Sequence, residues 1–115
     1  MELLEYEKHF DLVISKDLLH HLPDPMVFWN TAKKVLRKEG AIYLMDLIKP
    51  KSKAEARKIV KKVSGEETEI LKRDFYNSLL AAFSIEEVEQ QIRKAQLDLE
   101  IMVVSERHYI VKGTI

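Results

Sequence analysis

His20 and His21 stand side by side, with Asp17 three residues before the first and Asp24 three after the second. Imidazole has an unperturbed pKa of about 6.5, so His20 is suited to drawing a proton from a nucleophile. The competing role for both histidines is packing and capping after a strand. Asp17 and His20 share a face if the stretch between them is helical. Neighbouring histidines on a helix diverge, so no metal set is expected from them. Asp46 closes an apolar run, where it either faces the same crevice or simply forms a polar strand end. Phe75 and Tyr76 either line a substrate pocket from a covering helix or belong to the core.

These groups need elements to hold them. Phe10 to Ser15 is short, apolar and without clean alternation, which predicts a strand covered on both faces. Residues 16–22 make a turn or short helical piece, ended by Pro23-Asp24-Pro25. Asp24 caps the next helix and Pro25 suits its first position. Phe28, Ala32, Val35 and Leu36 fall on one face, and Lys33, Lys34, Arg37 and Lys38 crowd its last turn before Gly40. Trp29 falls partly off that stripe and reads as facing a partner chain. Residues 41–48 form a second buried-type strand, ended by Pro50.

Ser52 with Glu55 and Ser84 with Glu87 are S-x-x-E capping boxes for two later helices. The first carries Ala56, Ile59, Val60 and Val63 and closes at Gly65; the second carries Val88, Ile92 and Ala95. Between them, 66–82 predicts a helix turning Ile70, Leu71, Phe75, Leu79 and Ala82 inward. Residues 99–104 and 109–115 are strands that a polar turn can join as an antiparallel hairpin. The class is α/β, in a single domain spanning 1–115, and the first two strands should lie parallel with a right-handed crossover.

Composition narrows the function. The 115 residues carry 19 Lys plus Arg and 19 Asp plus Glu, a net charge of zero that argues against nucleic-acid binding. The basic run Lys51, Lys53, Arg57, Lys58, Lys61 and Lys62 therefore reads as a solvated helix face. Cysteine is absent, which removes disulfides, thiolate zinc sites and cysteine nucleophiles and is compatible with a cytoplasmic setting. No apolar run approaches the ~20 residues of a membrane span, and the acidic N-terminus does not read as a signal peptide.

The stretch FDLVISKDLLHHLPDPMVFWNTAKKVLRKEGAIYLMD, residues 10–46, resembles the fourth strand, following helix and fifth strand of class I S-adenosylmethionine (SAM)-dependent methyltransferases. The similarity is to the ubiquinone- and menaquinone-biosynthesis branch. It implies a partial Rossmann-like fold, a four-stranded mixed sheet in the family order 4-5-7-6 with helices on both faces. Residues 49–83 fall where the family carries a lid-like insertion. By the same resemblance Ser15, Lys16 and Asp17 lie beside the cofactor, His20 is the catalytic candidate, and Asp46, Phe75 and Tyr76 face the substrate. The residues Met1-Glu2-Leu3-Leu4 resemble the segment after the family's third strand.

The family binds SAM mainly through its N-terminal half, with a Gly-rich turn that lets backbone approach the cofactor. Here Gly40, Gly65 and Gly113 stand far apart and none makes a Gly-x-Gly. The expectation is a truncated methyltransferase-like chain that does not bind SAM alone. The strand at 10–15 would then expose an unpaired edge, which natural proteins rarely leave open. Two occupants are expected for it: a second copy, forming a homodimer, or a separate chain supplying the N-terminal half. A non-catalytic homodimeric remnant or interaction module is the alternative function.

Overall fold

The computed structural model describes residues 7–115. The Met1–Leu4 stretch lies outside the described residues. Strand β1 (Phe10–Lys16) leads through a 3-10 turn (Leu19–His21) into helix α1 (Met26–Val35) and strand β2 (Leu36–Leu47). Helices α2 (Lys53–Ser64), α3 (Glu69–Ala81) and α4 (Ile85–Lys94) follow, then strands β3 (Glu100–Val103) and β4 (His108–Thr114). The sheet order is β1-β2-β4-β3, with β1 parallel to β2 and β4 antiparallel to both of its neighbours. That is the expected mixed α/β sheet, including the inserted last strand.

The caps form where the spacing placed them. Ser84 Oγ accepts the Glu87 N–H at 3.1 Å while Glu87 Oε1 accepts the Ser84 N–H at 3.0 Å, a reciprocal box. At Ser52 only half of the expected box forms, its Oγ accepting the Glu55 N–H at 3.1 Å with no return bond from the Glu55 carboxylate. Each such cap stabilises its helix by about 1 kcal/mol. Asp24 Oδ1 accepts the Met26 N–H at 3.0 Å, but Pro25 precedes α1 instead of occupying its first turn.

Helix α1 stops three residues early. Leu36 is already extended and buried, pairing with Phe10, so Arg37 and Lys38 leave the helix end and only Lys33 and Lys34 remain in its last turn. Glu39 takes a left-handed φ of 67°, and the β1–β2 register shifts between Phe10 and Leu12. Gly40 sits within the strand instead of ending the helix.

Helix α3 begins at Glu69, behind a Thr68 cap whose Oγ1 accepts the Leu71 N–H. Ile70 and Leu71 are exposed, as is Val63 on α2, because among the described residues no element covers that end of the helix pair. Trp29 is fully buried, and its Nε1–H donates to Gln91 Oε1 of α4 at 2.9 Å. It is a core residue and does not face a partner.

The two sheet faces differ. Val13, Ile42, Leu44, Tyr109 and Val111 pack with Leu19, Phe28, Trp29, Val88 and Ile92 in the main core, so α1 and α4 cover one face. Side chains alternate along a strand, which puts Leu12, Ile14, Tyr43 and Met102 on the other. All four are exposed, Ile14 to 68%. Among the described residues no helix covers these four positions, so β1 is not covered on both sides. Helices α2 and α3 instead pack around Leu47 at the far end of β2, in a smaller cluster with Ala56, Ile59, Val60, Leu79 and Ala82.

Candidate functional site

The two parallel strands end side by side. Asp17 leaves β1 with a left-handed φ of 58°, a conformation Asp tolerates better than most residues, and its N–H donates to Met45 O at 3.0 Å. That bend turns the chain over the end of β2. It sets the 3-10 turn so that Leu19 N–H reaches Asp46 Oδ2 at 2.9 Å and His20 Nδ1 lies 2.6 Å from Asp46 Oδ1. The Leu47 N–H donates to the same Oδ1 at 2.7 Å.

With Asp46 as a carboxylate accepting throughout, Nδ1–H is the donor between the two, and Nε2 on the far side of the ring has no partner. Both side chains are buried, His20 at 3% and Asp46 at 1% exposure. A carboxylate so deep is held by its donors: three hydrogen bonds, one from an imidazole, replace its water shell. Asp46 orients His20 from beneath, and its burial keeps it from solvent.

Four buried polar atoms among the described residues have no partner: Ser15 Oγ, Asp17 Oδ1, His20 Nε2 and Tyr109 OH. Buried polar groups are nearly always satisfied, so such atoms mark a place where water or a ligand belongs. Ser15, Asp17 and His20 come from the end of β1 and the turn after it, and Tyr109 is the register partner of Asp46 on β4. Burial, and then the charge on Asp46, push the Tyr109 phenol well above its ordinary range.

A cavity of about 240 Å³ opens here, lined by Asp17, His20, His21, Leu47, Phe75, Ser78 and His108. The His20 and His21 rings lie 4.0 Å apart at 41°, so the adjacent histidines sit together instead of diverging. Burial, and next the Arg107 charge, lower the pKa of His108, which lies 3.2 Å from Ser105 Oγ through Nδ1. Among the described residues no three His, Cys, Asp or Glu side chains group as a metal set.

The sequence candidates thus separate. Asp17, His20 and Phe75 meet at the cavity, Ser15 and Asp46 lie buried next to it, and Lys16 points to solvent with its Nζ 3.8 Å from Asp17 Oδ2. Tyr76 faces a different hollow, beneath Arg57. Ser78, His108 and Tyr109 were not singled out by sequence. The β2–β4 register brings in the last two, since it sets His108 and Tyr109 opposite Leu47 and Asp46.

Residues 1–44 match a methyltransferase domain family. No curated protein matches the chain in sequence. Among solved structures, a SAM-dependent methyltransferase from Aquifex aeolicus superposes with a TM-score of 0.64 at 14% identity, over 95% of this chain and 47% of its own. The YcgJ protein from Bacillus subtilis gives 0.64 at 12%, over 94% and 64%. An arsenic(III) S-adenosylmethionine methyltransferase from Chlamydomonas reinhardtii gives 0.58 at 17%, over 99% and 42%. The chain has part of the class I methyltransferase fold and spans roughly half the length of these structures.

Proposed function

We propose, from a fold shared in part with class I SAM-dependent methyltransferases, that this chain forms the acceptor side of a methyl-transfer unit. Its donor side would come from polypeptide outside these 115 residues. The observation that carries the reading is the buried His20–Asp46 pair at the strand ends, with His20 Nε2 unpartnered on a residue that lines a cavity.

The described residues do not supply a cradle for SAM. A cradle glycine leaves room where a Cβ would clash with the ligand. At Gly40, Gly65 and Gly113 that room is already filled by the chain itself: Arg37 O at 2.8 Å, Lys61 O at 2.5 Å and Leu99 Cδ2 at 2.9 Å. What remains for a cofactor is two orphaned atoms, Ser15 Oγ and Asp17 Oδ1. The lone chain then has no tight SAM site, and the open face beside β1 is where the missing strands and helices would add.

On the acceptor side, Asp46 holds His20 in one tautomer and ring orientation. Nε2 takes the proton that a hydroxyl or amine loses as its oxygen or nitrogen is alkylated, and the Asp46 charge stabilises the imidazolium that results. Leu47 and Phe75 give the cavity its apolar wall, and α3 contributes Phe75 and Ser78 to its lining. This favours a small protic acceptor. A cytoplasmic setting goes with the reading, since the chain has no cysteine.

The test is calorimetric titration of SAM into the chain alone and into a complex with a co-expressed Gly-x-Gly half. Binding only in the complex, with methyl transfer lost in His20→Ala while assembly persists, is the expected result. Micromolar binding of SAM by the lone chain defeats it. The β1 edge also favours a second reading, a non-catalytic homodimer in which two copies pair β1 to β1 about a twofold axis. A chain that dimerises in the ultracentrifuge and refuses the added half supports that alternative.

A further inference from the structure

A larger hollow, about 530 Å³, lies between α2 and α3, apart from the His20–Asp46 pair. Arg57 and Lys61 reach it from α2, Lys72 and Arg73 from α3, and Val60 and Tyr76 supply apolar surface. Its single acid, Glu69, is engaged by Lys72 Nζ at 3.4 Å. None of the ion pairs within 4.0 Å among the described residues includes Arg57, Lys61 or Arg73.

A solvated basic face turns its charges apart. Here the unpaired cations of two helices converge on one concavity, in a chain whose net charge is zero. Arg57 and Lys61 are four apart on α2, a like-charge spacing that weakens a helix unless an anion relieves it. The Arg57 guanidinium carbon lies 5.9 Å from the centre of the Tyr76 ring, which keeps that fork in place. A cleft lined by one sign of charge concentrates counter-ions of the other.

We propose that the α2–α3 cleft is a binding site for a phosphoryl group carried on a small aromatic or aliphatic body. Two guanidiniums match the oxygens of a phosphate in bidentate fashion, and the lysines add to a dianion more than to a carboxylate. Val60 and Tyr76 receive the body. The site is independent of the methyl-transfer reading.

The probe is phenyl phosphate, titrated into the full chain and followed by amide chemical shifts, with benzyl alcohol as the uncharged control. Saturable shifts centred on residues 57–76, weakened roughly tenfold or more in R57A/R73A, are expected. Both positions are exposed, so circular dichroism of the variant should match the parent. A parallel arm sediments the chain with vesicles containing phosphatidic acid. Pelleting that is lost in R57A/R73A, without phenyl phosphate binding, assigns the phosphoryl group to a lipid headgroup. Failure of both arms, or binding that the double variant leaves unchanged, overturns the site.

Discussion

Tyr109 stands directly across the β2–β4 ladder from Asp46, and its buried hydroxyl has no partner while the carboxylate opposite accepts from Leu19, His20 and Leu47. The phenol is held protonated by burial and by that neighbouring charge. In the unfolded chain it would ionise near its ordinary value of 10.0. Because the folded value is the higher one, its contribution to stability is complete below pH 10 and is lost as pH rises beyond it. Denaturant melts of the parent and Tyr109→Phe between pH 8 and pH 11 should diverge only at the alkaline end, with the variant falling less. At neutral pH the variant should lie within about 1 kcal/mol of the parent, since it removes an unsatisfied group.

Asp46→Ala strands the His20 ring and two backbone N–H groups in the core and should cost about 3 kcal/mol. Asp46→Asn keeps the shape but weakens the charge-assisted bonds, at a cost of ~1–2 kcal/mol. A urea double-mutant cycle with His20→Gln should return a coupling of about 1–3 kcal/mol. Additive single effects would show that the two side chains do not act together.

His108 titrates below its ordinary 6.5, because burial and Arg107 disfavour its cation. A histidine whose folded pKa is depressed lends stability that is present above the unfolded value and is lost as pH falls through the folded one. Imidazole proton shifts followed by NMR should place the His108 midpoint below 6.5, and Arg107→Ala should move it back up. An unmoved titration in that variant would remove Arg107 as a cause.

Ile14→Lys changes a side chain that is already 68% exposed, so stability should stay within about 0.5 kcal/mol of the parent. Any association through the open sheet face should weaken far more, by roughly tenfold or beyond, once a charge enters the apolar patch. Sedimentation velocity across a range of concentrations reads this out. Identical profiles for parent and variant would exclude the face as the adhesive one.

Local signals were the readable part of this fold. Ser84 and Glu87 announce α4 because both halves of the cap lie within one turn. The fall from β1 into the LHHLPDP turn is marked by prolines that cannot be helical inside it. Leu12 and Ile14 misled for a physical reason: an apolar strand looks the same whether its second face is covered or bare. Ile70 and Leu71 carry helical periodicity but stay largely exposed. Leu36 left α1 early because a parallel partner at Phe10 outweighed its helix propensity. The Trp29–Gln91 bond spans 62 residues, and no spacing rule reaches that far. At the site, His20 and Asp17 were visible from residue type alone. The role of Asp46 as a support under the ring needed the third dimension, and so did the arrival of His108.

Helix α3 walls both hollows, offering Phe75 and Ser78 to one and Lys72, Arg73 and Tyr76 to the other, with Leu79 as its buried anchor. The cations and His20 are thus served by opposite sides of a single rod, and a substitution that unseats Leu79 would disturb the walls of both chambers at once.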